Sequence, residues 1–256
     1  ACAEVFKQWN KGPLNSYLIE ITGHVLDAVD EQTGKPLVEL ILDKAGQKGT
    51  GRWSAIAAQN LGVPATTIEG AVAARSISAL KFERVAARQV YGARPSIKAD
   101  VSLETLEHAL LAGKIAAYAQ GFAVMSKASE ENGWALPLGT IARIWRAGCI
   151  IRSRFLDQMA AAYDKGEAVN LLMAPDFIDL MKANHGALRQ VVAAGALGEF
   201  PLPCLSSALA YFDGYRQATG TANLIQGQRD FFGAHGFVIE GRGEDQHGNW
   251  PSTLGN

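Results

Sequence analysis

The stretch SLETLEHALLAGKIAAYAQGFAVMSKASEEN, residues 102–132, decides the fold class of this chain. Apolar residues recur along it at the spacing of one face of an α-helix. Gly133 follows where such a helix would stop. The stretch predicts a long amphipathic helix from about Ser102 to Asn132. Its predicted apolar stripe consists of Leu103, Leu106, Leu110, Ile115, Tyr118 and Phe122.

Helical patterns also lie on both sides of this segment. Thr66 to Tyr91 predicts one long helix that opens with Thr66 and Glu69 at the spacing of a capping box. A third long helix is expected from Pro137 to Tyr163. Shorter helical patterns cover residues 15–30, 176–194, 205–215 and 221–233. The only strand candidates are residues 36–43 and 236–241, so the predicted fold class is all-α.

Length and composition limit the domain organisation. At 256 residues the chain can form one large domain or two small ones. Glycines punctuate the chain from about residue 220, where the core helices end. We therefore predict a helical domain over residues 1–219 and an extended C-terminal tail over residues 220–256.

Composition also excludes several classes of protein. With 48% hydrophobic and 19% charged residues and no long apolar run, the sequence predicts a globular protein without a membrane span or extended disorder. A net charge of -1 argues against binding to a nucleic-acid backbone. Cys2, Cys149 and Cys204 lack the spacing of a disulfide framework or zinc site, which favours a reducing cytoplasm. The first residues lack an initiator Met and a signal pattern, which predicts a piece of a longer chain.

Two places could bind an anion. The segment GQKGTGRW, residues 46–53, puts three glycines around Lys48, so that backbone N–H groups and an ammonium could face an anion. An ordinary turn with an exposed lysine has the same composition. Arg75 lies among small residues of the predicted helix from Thr66, where it could form a structural ion pair or clamp a ligand.

Other candidates for chemistry are weaker. Four arginines, Arg143, Arg146, Arg152 and Arg154, are spread over more than one helix face, which favours internal ion pairs or a solvated surface. His235, after Gly233, is by itself typical of a structural histidine. No HExxH or GxSxG motif occurs, and the histidines predict no metal site. The residues alone identify neither a nucleophile nor a general base.

Seven blocks of the sequence resemble, in order, the decarboxylating 6-phosphogluconate dehydrogenases. They are FKQWNKGPLNSYLIEIT, LDKAGQKGTGRW, IEGAVAARSISALKFER, KIAAYAQGF, IARIWRAGCIIRSRFL, PCLSSALAYFDGYR and ANLIQGQRDFFGAH. The resemblance covers the family's large helical C-terminal domain and tail. The family's Rossmann domain and its K-x-x-x-N-x-x-E-Y-like catalytic pattern have no counterpart here. The resemblance therefore implies no catalytic residue in this chain, which alone is expected to be inactive.

The resemblance also implies roles for four residues. Lys48 and Arg75 would bind the phosphate of 6-phosphogluconate on one subunit. Arg229 and His235 would reach the partner subunit's site through crossed C-terminal tails of a homodimer. Departures such as Phe231, where tyrosine is usual, leave these four residues intact.

For the complete enzyme, the resemblance implies conversion of 6-phospho-D-gluconate and NADP to ribulose 5-phosphate, carbon dioxide and NADPH in the oxidative pentose phosphate pathway. NADP would be bound mainly by the N-terminal domain, and no metal would take part. A preference for NADP over NAD stays open. Two alternatives also stay open: a non-catalytic helical dimerisation module, and a related β-hydroxyacid dehydrogenase that acts on an unphosphorylated acid.

Overall fold

The computed structural model describes residues 1–94, 100–166 and 170–250. Helices dominate these ranges, which confirms the all-α prediction. A single turn of 3₁₀-helix occupies Leu171–Met173. The other elements, in chain order, are α1 (Cys2–Trp9), α2 (Tyr17–Asp27), α3 (Leu37–Leu40), α4 (Thr50–Asn60), α5 (Thr66–Ala79), α6 (Lys81–Tyr91), α7 (Leu103–Asn132), α8 (Leu138–Trp145), α9 (Phe155–Asp164), α10 (Pro175–Leu197), α11 (Pro203–Tyr215), α12 (Ala222–Gly233), β1 (Phe237–Ile239) and β2 (Gly243–Gln246).

The central helix α7 has the predicted limits. The Ser102 hydroxyl accepts a hydrogen bond from the Thr105 backbone N–H at 3.0 Å, and Gly133 ends the helix with φ 63°. The predicted stripe was wrong at Leu103, which is 58% exposed. Much of the buried face consists of small residues, so that α10 packs closely along α7. These small residues are Ala109, Ala112, Gly113, Ala116 and Ala119.

In the helical part of the chain, core side chains from several helices pack around Phe122. This side chain is 1% exposed and stacks on the Tyr163 ring with 5.1 Å between centroids. Trp145 contacts it edge-on at 5.5 Å. Gly113 lets α11 approach, because a Cβ atom there would lie 2.6 Å from a methyl carbon of Leu205. Close packing around these aromatic rings holds α7, α8 and α9 together.

The predicted helix over residues 66–91 is in fact two helices, α5 and α6. The backbone leaves the helical region at Leu80, with φ -81° and ψ 45°. Arg84 donates a hydrogen bond to the Ser78 carbonyl oxygen at 3.3 Å and pairs with Asp43 at 2.6 Å. These contacts bridge the break and attach it to the loop before α4.

The predicted capping box at Thr66 and Glu69 does not form. Instead, the buried side chain of Gln120, on α7, accepts a hydrogen bond from the Thr67 backbone N–H at 2.9 Å. Glu69 accepts one from the Gln59 amide at 2.7 Å. The N-terminus of α5 is thus capped by a residue from another helix, which local sequence cannot indicate.

The predicted helix over residues 137–163 is also divided, into α8 and α9. Gly148, with φ 70°, lies in the turn between them. The Tyr17 N–H donates to the Arg152 carbonyl oxygen, and the Arg154 N–H donates to the Asn15 carbonyl oxygen, each at 3.2 Å. Because this segment hydrogen-bonds to the start of α2, it cannot continue as helix.

The two strand candidates have different outcomes. Residues 36–43 contain the short helix α3 and a loop, so the strand prediction was wrong there. Residues 236–241 contain β1, which pairs antiparallel with β2. Phe237 lies opposite Gln246, and Ile239 lies opposite Gly243.

Contacts divide the chain into two compact units, Ala1–Phe212 and Asp213–Asn256. The first, called here the helical unit, contains the helices up to α10 and most of α11. The second, called here the tail unit, contains α12 and the β1–β2 hairpin. None of the described helices is long and apolar enough to cross a membrane.

Candidate anion-binding site

Lys48 lies at the entrance to α4 in the helical unit. Its side chain is exposed, and the next residue, Gly49, adopts φ 109°, a conformation that favours glycine. Gly49 is the N-cap and provides no side-chain oxygen to the helix. The first backbone N–H groups of α4 therefore lack an intrahelical or side-chain acceptor, and no acidic residue occupies the first turn. This end of α4, with the Lys48 ammonium beside it, suits an anion.

Arg75 is attached to the same loop. On α5, its guanidinium donates a short hydrogen bond to the carbonyl oxygen of Gly46, two positions before Lys48. The side chain is exposed, and within the described ranges it forms no ion pair. Of the two roles that the sequence left open for Arg75, the structural ion pair is thus not observed. Lys48 and Arg75 both belong to the junction of this loop with α5.

Hydrogen bonds fix the loop, residues 41–49, along α5. The Ala45 N–H donates to the Ser78 hydroxyl at 3.1 Å, and the Gln47 amide reaches the Ser76 hydroxyl at 3.5 Å. Asp43 pairs with Arg84. The hydrogen bond that the Arg84 guanidinium donates lowers the pKa of the Asp43 carboxyl below its usual value. The acidic side chain of the loop is thereby neutralised, while the Lys48 side chain stays exposed.

A mostly apolar cavity of about 810 Å³ lies in the helical unit. Thr50, the first residue of α4, lines it, so the cavity extends to the start of that helix. Lys114 also lines it and donates to the Leu14 carbonyl oxygen at 3.5 Å. Burial lowers the pKa of Lys114 to about 8. The cavity thus combines apolar walls with one largely buried lysine.

Arg229 and His235 lie in the tail unit. Arg229, on α12, donates to the Gln226 side-chain oxygen at 2.8 Å. His235 follows the helix, and its ring meets that of Phe232 edge-on with 6.0 Å between centroids. Both side chains are exposed. Of the four predicted residues, Lys48 and Arg75 thus lie in the helical unit, and Arg229 and His235 lie in the tail unit.

Three of the four arginines around Trp145 form the predicted internal ion pairs. Arg143 pairs with Asp164, Arg152 pairs with Glu20, and Arg146 lies 2.7 Å from an oxygen of Asp157. For Arg154, the described residues provide no such partner. These pairs lie between helices or helix ends and explain the arginines without a ligand.

Sequence reasoning did not identify Thr50 and Lys114, which line the cavity. The glycines around Lys48 were a signal for a turn, but the free N–H groups depend on where α4 begins. Lys114 had only a weak signal, a single lysine among the small and apolar residues of LLAGKIAAYA.

Comparisons with known proteins decide the family. The sequence model described as "6-phosphogluconate dehydrogenase, C-terminal domain" matches residues 1–250. The chain belongs to this family. The resemblance seen in the sequence blocks is thereby confirmed.

Relatives of this 6-phosphogluconate dehydrogenase domain agree with that assignment. An NADP-dependent decarboxylating 6-phosphogluconate dehydrogenase of Bacillus subtilis is 49% identical over 96% of this chain and 54% of its own length. A NAD-dependent relative from the same organism is 46% identical over 97% of this chain and 54% of its own length. The solved Plasmodium falciparum 6-phosphogluconate dehydrogenase, described as apo and with NADP⁺ or 6-phosphogluconate, matches with a TM-score of 0.93 and 39% identity. The match covers 97% of this chain and 55% of the Plasmodium falciparum chain.

The chain spans about half the length of the curated relatives it matches. Because both NADP- and NAD-dependent enzymes are similar to it, similarity alone does not distinguish the two nucleotides.

Proposed function

We propose that this chain is the C-terminal part of a cytoplasmic, NADP-dependent decarboxylating 6-phosphogluconate dehydrogenase. The complete enzyme would convert 6-phosphogluconate to ribulose 5-phosphate, carbon dioxide and NADPH. This chain would bind the substrate phosphate and form the homodimer, and the other part of the enzyme would carry the catalytic lysine and glutamate and most of the NADP site. One observation carries the proposal: the loop that bears Lys48 leads into an uncapped helix N-terminus and is bonded to Arg75 on α5, with no carboxylate paired to either side chain within the described ranges.

The chemistry of a phosphate monoester suits this arrangement. The phosphate carries nearly two negative charges at neutral pH and has three oxygens that accept hydrogen bonds. Lys48 would provide a compact charge, Arg75 a planar pair of donors, and α4 its backbone N–H groups. Each charge-assisted hydrogen bond is worth about 1.5–3 kcal/mol.

The tail unit would complete the phosphate site of the partner subunit. Arg229 and His235 are exposed on one end of α12, and the side chain of Arg229 contacts only a neutral glutamine among the interactions described. Four aromatic side chains in the described part of this unit beyond residue 220 are not buried, Phe231, Phe232, Phe237 and Trp250, and a partner could provide a surface that covers them. Under two-fold symmetry, the dimer would then have two sites, each built from both chains.

Substitution of Lys48 or Arg75 in a full-length enzyme that contains this chain tests the proposal. We expect Lys48→Ala and Arg75→Ala each to raise KM for 6-phosphogluconate by about 10- to 100-fold. The reduction in kcat should stay within about tenfold, because the phosphate is remote from the reacting carbons and is bound in both ground and transition states. Steady-state kinetics of NADPH formation would measure both constants.

Two controls make the result specific. Lys44→Ala changes an exposed lysine of the same loop and should leave KM unchanged. Gluconate lacks the phosphate, so its turnover should be affected far less by Lys48→Ala or Arg75→Ala than that of 6-phosphogluconate. An unchanged KM in both variants would rule out the phosphate site. Equal losses with both substrates would instead favour a dehydrogenase for an unphosphorylated acid.

A further inference from the structure

The tail unit contains one buried residue among those described, and it is charged. Asp230, near the end of α12, has a side chain that is 1% exposed. The large apolar side chains around it, such as Phe232 and Val238, are largely exposed. A carboxylate is expensive to bury unless hydrogen bonds satisfy it, so its surroundings need an explanation.

Asp230 accepts four hydrogen bonds, two on each oxygen. Its Oδ1 atom accepts from the Gly236 backbone N–H at 2.9 Å and contacts Nδ1 of His247 at 2.6 Å. Its Oδ2 atom accepts from the Gly248 N–H at 2.9 Å and from the Trp250 indole N–H at 2.8 Å. The Gly248 N–H bond is foremost among those that lower the pKa of Asp230 far below its usual value. We call Asp230 and these four donors the carboxylate cluster.

The carboxylate cluster connects directly to both proposed phosphate ligands of the tail. Arg229 precedes Asp230 on α12, with its own side chain in solvent. The Gly236 N–H belongs to the peptide that follows His235. One carboxylate therefore fixes the helix that bears Arg229 to the turn that bears His235.

Apart from the carboxylate cluster, this turn is flanked by the contact of the His235 ring with Phe232 and by the pairing of Phe237 with Gln246. Ala234 adopts φ 50° and Gly236 φ 70°, so the chain reverses through two left-handed positions around His235. The Ala234 N–H ends α12 on the Asp230 carbonyl oxygen at 2.8 Å. Backbone and side chain of Asp230 thus both hold the turn, and the fold places His235 between these two attachments.

We propose that Asp230 is a positioning residue for the tail's half of the phosphate site, acting through Arg229 and His235. This inference rests on the function proposed above. Removing one acceptor of the carboxylate cluster would release the turn and misplace both ligands, without removing either of them. The substrate phosphate would then be bound less tightly, although every group that touches it is still present.

Asp230→Asn in a full-length enzyme that contains this chain tests this role. The amide has the same shape, but its NH₂ group would face the Gly236 or the Gly248 backbone N–H in place of an acceptor, so at least one of these hydrogen bonds is lost. We expect KM for 6-phosphogluconate to rise about tenfold, with kcat within about threefold and KM for NADP unchanged. Asp245→Asn is the matched control, because Asp245 is exposed in the β1–β2 hairpin of the same unit and asparagine tolerates its φ of 58°. That control should retain wild-type constants.

A double-variant cycle with Arg229→Ala and His235→Ala separates positioning from general structural support. If Asp230 acts through these two ligands, Asp230→Asn should raise KM little further once both ligands are absent. If the full tenfold effect persists in that background, the positioning role is overturned. Should Asp230→Asn not fold, Trp250→Phe removes one donor and keeps an aromatic ring, and the same cycle applies with an expected threefold effect.

The outcomes also separate this inference from the proposed function. If Arg229→Ala raises KM but neither Asp230→Asn nor Trp250→Phe does, the tail site stands and the positioning role of Asp230 is wrong. If neither Arg229→Ala nor His235→Ala changes KM, the tail's part in the proposed function fails, and the inference fails with it.

Discussion

In the helical unit, most of the buried side chains are apolar and meet around Phe122, whereas in the described part of the tail unit the one buried residue is Asp230. Apolar packing is non-directional and spread over many contacts, so the helical unit can hold its loop at α4 on a rigid base. The tail unit depends instead on four directional hydrogen bonds to one carboxylate. We expect the two proposed halves of the phosphate site to respond differently to substitution for this reason.

The helical unit and the tail unit also differ in whether their charged groups are exposed or buried. Ion pairs of the helical unit, such as Arg146 with Asp157, are exposed and contribute little to stability. The tail unit buries its charge and surrounds it with donors. A buried, saturated carboxylate fixes geometry more strictly than an exposed pair, which suits the proposed role of a segment that would present Arg229 and His235 together.

The largest expected change in stability comes from a substitution in the apolar core. Phe122→Ala should reduce the free energy of unfolding by about 3–5 kcal/mol, because the ring is fully buried between Tyr163 and Trp145. Urea denaturation would measure it. Phe82→Ala, at a side chain that is 90% exposed, should change stability by at most about 0.5 kcal/mol. A loss below about 1 kcal/mol for Phe122→Ala would contradict the importance given to this cluster.

Replacement of Lys114 should change the free energy of unfolding by a smaller amount and in the opposite direction, so that the variant is more stable. Burial lowers its pKa to about 8, so the folded state loses its proton more readily than the unfolded state, whose lysine pKa is about 10.4. The buried charge destabilises the fold below pH 8, and stability rises with pH between about 8 and 10.4. Lys114→Met should therefore stabilise the chain by about 1–3 kcal/mol at pH 7 and remove that rise.

Urea denaturation between pH 7 and pH 10 would measure the change. Lys182→Met, at an exposed position of α10, is the matched control and should leave both the stability and its pH dependence nearly unchanged. If Lys114→Met destabilised the chain, or if the rise with pH persisted, the lysine would not be the buried charge that the structure indicates.

The smallest expected effect is at an exposed ion pair. Arg146 and Asp157 lie 2.7 Å apart, with more than half of each side chain exposed. A double-variant cycle of Arg146→Met and Asp157→Asn should give a coupling energy of at most about 1 kcal/mol, reduced by added salt. A coupling well above this value would mean that polar contacts stabilise the helical unit as well as the tail.

The sequence predicts those features of the fold that depend on neighbouring residues. The limits of α7 follow from its periodicity and from Gly133, and the strand over residues 236–241 is bounded by glycines. The break at Leu80 is attached to Asp43, which pairs with Arg84, and the break at residues 146–154 to the backbone of Asn15 and Tyr17; these partners come from distant segments. Helical periodicity continues across both breaks, so the pattern alone favoured uninterrupted helices.

The candidate site likewise combines features that depend on neighbouring residues with features that depend on distant ones. Lys48 was predictable, because the glycines that turn its loop are its neighbours in sequence. The contact of Arg75 with Gly46 depends on the packing of α5 against that loop, 29 positions earlier. Asp230 gave no local signal, because its four donors come from residues 236, 247, 248 and 250, and burial of a carboxylate cannot be deduced from QRDFFG.

The central claim is that the helical unit of one subunit and the tail unit of its partner together bind one substrate phosphate. Mixing full-length Lys48→Ala with full-length Arg229→Ala subunits, and purifying the heterodimers by two different tags, tests it most directly. With crossed tails, one site of each heterodimer carries both defects and the other is intact. At a 6-phosphogluconate concentration near the wild-type KM, where each variant alone is slow, activity should therefore recover to about half the wild-type value if the sites act independently. If each tail served its own subunit, every site would carry one defect, and the absence of any recovery in verified heterodimers would contradict the claim.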